Sequence, residues 1–265
     1  MNIYVFELKA QLKSFIIWTV SLLLVLLIFM SGLFPVFMDS KDAVIKAYNG
    51  FPPQFAAAFG IFVDQLFSYG GFFQFIYSYI SVIGAIMASI FAIAAFSREK
   101  RSKCVDFLLT KPVTRDDIFG AKFLSGLTLL GVANILFVAL SVLLYHSSNT
   151  GGDTWRVIWA SCALFFTQLV FYAIGTLYAV LARKVRSVSG IATALGFAGF
   201  ILTALNNMLH EDFLHYFAPL IYFEPYTVFA NGGFEVKYAV TAAVVFAACV
   251  VFSFVKYRSA DTPAL

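Results

Sequence analysis

Six long stretches of this chain carry no Asp, Glu, Lys or Arg, and nearly all the charge is gathered in the segments between them. The first, Ser14–Met38, is 25 residues long. A helix that crosses a bilayer needs about 20 predominantly apolar residues, because each residue rises about 1.5 Å through a hydrocarbon core of about 30 Å. The stretches therefore read as spans over about 14–38, 72–96, 119–145, 157–182, 187–209 and 237–256, with charge-free cores such as Phe123 to Tyr145 in the third. The last is near the lower length limit and should stand nearly upright. Only 12% of the 265 residues are charged, against about 25% in an average soluble domain, and the mean hydropathy is +0.87. The expected fold is an all-α integral membrane protein with six transmembrane helices, residues 1–265 forming a single transmembrane domain. The first run exceeds the 7–15 residues or so of a signal-peptide core and no small-x-small site follows it, so it reads as a span that stays in place.

Basic residues set the orientation, because Lys and Arg are retained on the cytoplasmic side. Six spans put both termini on one side. That side holds fourteen of the eighteen basic residues; the other holds only Lys41, Lys46, Arg156 and Lys237. Both termini are expected to be cytoplasmic. Eight of the fourteen acidic residues, among them Asp39, Asp42, Asp64, Asp153 and Glu211, fall outside. The net charge of +4 therefore reports topology, and no nucleic-acid partner is expected, since the basic residues form no single long face.

The connections carry further expectations. Met1–Lys13 mixes Ile3, Phe6, Leu8 and Leu12 with Glu7, Lys9 and Lys13, the pattern of an N-terminal interfacial helix lying along the inner surface. The outer segment from Asp39 to about Gly71 contains Pro52-Pro53 and an apolar stretch through Phe62, compatible with another short interfacial helix. His210–Lys237 is aromatic, broken by Pro219 and Pro225, and places Phe213, Phe217, Leu220 and Ile221 at roughly helical spacing. It reads either as an interfacial or re-entrant segment or as an ordinary aromatic-belt loop.

Catalytic patterns are missing. No G-x-x-x-x-G-K-[ST] phosphate loop and no G-x-S-x-G elbow occurs, so ATP hydrolysis by this chain is not expected. His210 and His215 lie five apart, whereas zinc-protease histidines lie four apart on one helical face, so no metal site is expected. Cys104, Cys162 and Cys249 match no zinc spacing and no disulfide framework. The charge-free cores also lack the intramembrane ionisable group on which proton-coupled carriers usually depend.

The cytoplasmic segment between the second and third spans is the most specific. It runs Arg98-Glu99-Lys100-Arg101-Ser102-Lys103-Cys104-Val105, then Asp106-Phe107-Leu108-Leu109-Thr110-Lys111-Pro112-Val113-Thr114-Arg115-Asp116-Asp117. Charge dominates its first half, an apolar group follows, and Pro112 stops a helix because it lacks an N–H and restricts the residue before it. Thr114 suits the N-cap of the next helix, with Asp116 and Asp117 in the first turn, where the helix dipole favours negative charge. The pattern predicts a short cytoplasmic amphipathic helix whose exposed apolar group requires a protein partner.

The stretch Glu99–Ser102, then Asp106–Arg115 and Ala121-Lys122, resembles the signature of ABC type-2 export permeases. In that family an acidic-basic pair ends the second span, a helix with a Leu-Leu-x-x-Pro-[VI]-[ST]-Arg ending follows, and a Lys enters the third span. Cys104-Val105 departs from it, at positions where members often have a small residue and Thr or Ile. The resemblance implies a coupling helix over Arg98–Thr110 that docks on an ATPase, with Arg98, Glu99, Lys100, Arg101, Asp106, Phe107, Leu108, Leu109, Pro112 and Arg115 as the coupling residues. It also implies two ABC ATPase subunits per complex, ATP and Mg on those subunits rather than any cofactor here, and a second permease chain, identical or homologous. A prokaryotic plasma membrane is the implied location, and the second and fifth spans would line the path.

Gln74, Asn134, Gln168, Thr193, Asn206 and Asn207 are the polar groups available to such a pathway. Gly84, Ala88 and Ala92 on the second span, and Ala192, Gly196 and Gly199 on the fifth, allow close helix approach, either within one subunit or at a dimer seam. The expected function is the permease subunit of an ATP-driven exporter. The alternative is a secondary carrier or channel working without an ATPase; a membrane enzyme or scaffold has no catalytic constellation in its favour.

Overall fold

The computed structural model describes residues 3–102, 114–148, 151–209 and 211–259. Among these residues every regular element is helical, and six helices are long and apolar enough to cross a bilayer. They are α1 (Ile3–Asp39), α2 (Tyr69–Ser102), α3 (Arg115–Ser147), α4 (Thr154–Leu181), α5 (Val188–Leu209) and α6 (Val236–Ser259). Each is built around one of the charge-poor stretches. Helices are the natural outcome, because a lone segment in hydrocarbon must satisfy its own backbone donors and acceptors. Side-chain hydroxyls follow the same rule by donating one turn back: Ser21 to Ile17 O (2.8 Å), Ser141 to Phe137 O (2.9 Å) and Thr176 to Tyr172 O (2.9 Å).

Local chemistry sets the ends and irregularities. Thr114 caps α3 as its sequence position predicts: Thr114 Oγ1 accepts from Asp117 N (3.1 Å), and Asp117 Oδ2 accepts from Thr114 N (3.3 Å), a reciprocal capping box. Ile3–Leu27 is one helix without a break, so residues 3–13 continue the first span instead of forming a separate interfacial element. No Gly or Pro interrupts it, and Glu7 and Gln11 share its buried stripe with Thr19, Leu22 and Leu26. Further on, α1 widens into a π-helical segment, Ile28–Leu33, before Phe34–Asp39. The ring of Pro35 conflicts with the carbonyl of Ser31, four residues earlier, and wider turns relieve that conflict.

α2 is the central element. Of its most apolar 18 residues 83% are buried, against 17% for α6, so α2 is enclosed by protein while α6 is peripheral. α4 and α5 lie along it through small residues. A Cβ on Gly175 of α4 would stand 3.2 Å from Ser89 Cα and 3.0 Å from Ala92 Cβ, and one on Gly84 of α2 would overlap Leu164. On α5, Ala192, Gly196 and Gly199 are buried, and Gly196 faces Ile86 and Val82. Both small-residue stripes thus serve packing within the chain. Large apolar side chains point outward from the other helices, among them Ile17, Leu24, Ile135, Leu143, Phe197, Ile201, Val244 and Val251, as a lipid-facing surface requires.

Two connections pack over the end of the bundle opposite the chain termini. Between α1 and α2 lie three short helices, Lys41–Tyr48, Pro53–Ala58 and Val63–Leu66; Phe59, next to the second, meets Phe200 of α5. Between α5 and α6 the chain forms Asp212–His215, a 3-10 turn Pro219–Ile221, and Pro225–Asn231. The spacing of Phe213, Phe217, Leu220 and Ile221 does not extend into one helix: the first short helix ends at His215, and Pro219 opens a 3-10 turn. Phe213 and Phe217 are exposed, whereas Leu220 and Ile221 are buried. Gln74 Oε1 of α2 accepts from Tyr226 N (3.1 Å), and Arg156 of α4 donates to Phe229 O (2.7 Å), fixing the segment to the bundle.

The α2–α4 contact gives a direct test. Gly175→Leu forces a side chain against the backbone of Ser89, an overpacking expected to cost about 1–3 kcal/mol or more. Gly131→Ala, whose Cβ meets nothing within 4 Å, should be tolerated. Thermal unfolding in mild detergent should show a lower midpoint for Gly175→Leu only.

Candidate functional site

At the end of the bundle that holds the N-terminus and the end of α2, three charged side chains meet inside the protein. Glu7 of α1 is 1% exposed and Lys122 of α3 is 0% exposed. The Glu7 carboxylate lies 3.0 Å from Arg98 Nη1 and 3.7 Å from Lys122 Nζ. Lys122 Nζ also donates to Ala95 O of α2 (2.6 Å) and sits 5.9 Å from the centre of the Phe96 ring. The Arg98 guanidinium lies 5.5 Å from the ring centre of Phe6. A lone buried charge would cost several kcal/mol, so Lys122 and Glu7 are tolerated only because they neutralise and hydrogen-bond each other's surroundings. The effect is to tie α1, α2 and α3 at one point.

The same level binds the remaining helices less directly. Tyr172 of α4 donates to Phe123 O (3.1 Å). Phe119 of α3 packs its ring against Phe96, Phe254 and Tyr257, so the end of α6 joins. Arg258 approaches Asp116 at 3.8 Å with both side chains exposed, a contact worth little beside the buried one.

The coupling residues fall partly within this geometry. α2 runs unbroken through Ser102, so Arg98, Glu99, Lys100 and Arg101 extend the second span rather than begin a new helix. Its 34 residues span roughly 51 Å at about 1.5 Å each, well beyond a hydrocarbon core of about 30 Å. Arg101 is exposed and Arg115 opens α3. The side chains of Glu99 and Lys100, and Asp106, Phe107, Leu108, Leu109 and Pro112 altogether, lie outside the described residues, as does most of the predicted short helix.

The six polar pathway residues do not converge. Asn134 and Gln168 bond to each other across α3 and α4 (2.6 Å) and are buried. Gln74 is engaged by Tyr226. Thr193 and Asn206 are half-buried on α5. Asn207 shares with Gln74, Tyr77 and Thr203 a gap of about 10 Å³, near the lower limit for one water. This arrangement is a closed bundle.

Sequence reasoning missed three groups. Glu7 and Gln11 looked like the polar side of a surface helix, yet their spacing continues the stripe Thr19, Leu22, Leu26, which was the available signal. Glu224, just before Pro225, has its carboxyl pushed up to about 7, first by burial and then by the nearby charge of Glu235. An acidic residue between Phe223 and Pro225 in an aromatic segment was its only mark. Glu7, Arg98 and Lys122 lie just outside the charge-free cores, at the bundle end, where Glu7 and Lys122 are buried and the three compensate one another.

Two measurements follow. Glu7→Ala leaves Lys122 buried without its carboxylate and should cost about 3–5 kcal/mol, while Glu7→Leu combined with Lys122→Met should recover much of it; thermal or denaturant unfolding reads both. Because its native pKa lies above the ordinary value, Glu224 binds its proton more tightly in the folded state. Folding stability should therefore fall as pH rises from about 4.5 to about 7. Glu224→Gln should be the more stable form at pH 8, by no more than about 3 kcal/mol, with the difference gone near pH 4.

A model of the family described as ABC-2 family transporter protein matches residues 1–261. No curated protein matches the chain.

Proposed function

The chain belongs to the ABC-2 family of transporter proteins and is a multi-pass membrane permease component of an ABC transporter; from that premise we propose that it is the translocating subunit of an ATP-driven exporter worked by separate ATPase subunits. The observation that carries this reading is the continuous α2, which at 34 residues outruns a bilayer core and is pinned near its Ser102 end by Arg98 to Glu7 and by the Ala95 carbonyl to Lys122. A rigid rod fixed to two neighbours moves them when its projecting end is pushed. ATP-driven closure of a soluble motor would thus shift α1 and α3 together with α2, and α4 and α5 through their close contacts with α2.

In this reading the basic end of the bundle is cytoplasmic, consistent with fourteen of the eighteen Lys and Arg lying in the segments on that side. The location is a prokaryotic plasma membrane. Residues Arg98–Thr110 and Arg115 receive the ATPase, two ATPases and a second permease chain complete the unit, and ATP with Mg binds on the ATPases. The closed packing of Asn134, Gln168 and Asn207 corresponds to a resting state in which cargo has no open path.

Purification of the tagged chain from its host in mild detergent should bring an ABC ATPase with it. In the reconstituted complex, Glu99→Ala should leave insertion and yield unchanged while lowering transport and stimulated ATPase activity about tenfold, the effect of one lost charge-assisted contact of roughly 1.5 kcal/mol. Transport by the purified chain alone in liposomes without ATP would replace this reading with that of an independent carrier.

A further inference from the structure

At the end of the bundle opposite the chain termini lies an open cavity of about 590 Å³. Its wall is mostly aromatic, made by Phe34 of α1, Phe67 and Tyr69 where α2 begins, and Phe229 of the segment before α6. The polar groups in it have bonding capacity left over. Asp153 and Arg156, at the start of α4, both line the cavity and are exposed. One Asp153 carboxylate oxygen accepts from Trp155 N (3.0 Å), which leaves the other oxygen open. Arg156 donates through Nη1 to the neutral Phe229 carbonyl (2.7 Å), which leaves the rest of the guanidinium and its charge unmatched. Neither makes an ion pair among the described residues. Tyr145 of α3 also lines the cavity and is 8% exposed. A Cβ on Gly152 would overlap Tyr145 Oη, so the glycine leaves room for that hydroxyl. The Tyr69 hydroxyl is sealed inside the wall, whereas that of Tyr145 is accessible and forms no hydrogen bond among the described residues. A lone anion would meet Asp153 here, and a lone cation would meet Arg156. The pattern fits a ligand that carries both signs.

We propose that this cavity holds the headgroup of a zwitterionic phospholipid from the leaflet at that end. The phosphate oxygens accept from the open N–H groups of Arg156 and from the Tyr145 hydroxyl; a planar guanidinium suits phosphate by presenting paired donors. The ammonium donates to the open oxygen of Asp153. The first part of the tails lies on the aromatic wall and leaves past Met38, which lines the cavity and is 44% exposed, toward the outward apolar side chains of α1. The depth is right for a headgroup: Trp155, 63% exposed, stacks on Trp159 at the same level, and tryptophan favours the membrane–water boundary. At about 590 Å³ the space falls within the usual range of ligand pockets, about 300–1,000 Å³. A soluble zwitterion would use the charged groups but not the apolar way out. The site goes beyond the coupling role and needs only that the chain sits in a bilayer.

The test uses delipidated full-length protein in neutral detergent, with phosphatidylethanolamine, phosphatidylglycerol or tail-free glycerophosphoethanolamine added, read by native mass spectrometry and thermal unfolding. Phosphatidylethanolamine should be retained as a bound copy and raise the unfolding midpoint, whereas phosphatidylglycerol, which lacks the ammonium, and the tail-free headgroup should do neither. Asp153→Asn keeps a side chain able to cap α4 but loses the charge. It should weaken phosphatidylethanolamine retention about tenfold, as for loss of a hydrogen bond between charged groups, with lipid-free stability unchanged. Tyr145→Phe keeps the ring and should weaken retention to a similar degree. Without lipid it should be no less stable than the wild type, because the hydroxyl it removes has no partner. Equal retention of the two phospholipids, unchanged retention in either variant, or the same stabilisation by glycerophosphoethanolamine would each overturn the proposal. None of these outcomes bears on whether an ATPase copurifies.

Discussion

Burial of the Lys122 ammonium obliges the end of this bundle that holds the N-terminus to be built as one piece. Among the described residues its charge is met by the Glu7 carboxylate of α1 and the Ala95 carbonyl of α2, and the Glu7 carboxylate also holds Arg98. Removing Glu7 takes the carboxylate from both cations, and Lys122 is fully buried. In water such pairs contribute little; here their geometry is enforced because the alternative is so costly. The three helices that meet there are the first three spans of the chain, and the cluster specifies which of their ends lie side by side. Apolar packing between helices surrounded by lipid does this poorly, since hydrocarbon favours no particular partner.

The helices themselves were legible in the sequence because lipid imposes a simple rule on composition and length. Runs such as Ser14–Met38 and Val157–Ala182 stand out by charge alone, and Thr114 with Asp117 announces the start of α3 by a short-range rule. What the sequence hid depends on tertiary partners. Glu7 reads as a surface residue until Arg98 and Lys122 come beside it. Cys162 gives no warning of the local interruption between Thr154–Ser161 and Ala163–Leu181. The Phe213–Ile221 spacing looked helical, but Pro219 opens a 3-10 turn within it.

The site shows the same division. The local pattern marked the entry of α3, with Lys122 part of it, but began a new helix at Arg98, where α2 continues through Ser102. The polar residues picked out one by one, by contrast, sort by partners that spacing cannot reveal: Asn134 and Gln168 satisfy each other, Gln74 serves the backbone of Tyr226, and Thr193 stands apart on α5. The small-residue stripes proved to be intrachain packing because α2 is the helix they face, and a central helix has no free side to offer.

The widened segment of α1 has a structural consequence of its own. A π turn carries one residue more than the α-helical count, which rotates everything beyond it by about a quarter turn relative to what precedes it. Below Ile28 the inward stripe of α1 leads toward α3; beyond it, Phe34 meets Tyr69 and Phe72 at the start of α2. One helix thereby serves two different neighbours along its length, gripping one toward its N-terminal end and another toward its far end. Such a phase shift lets the two halves of a single rod report to separate parts of the body.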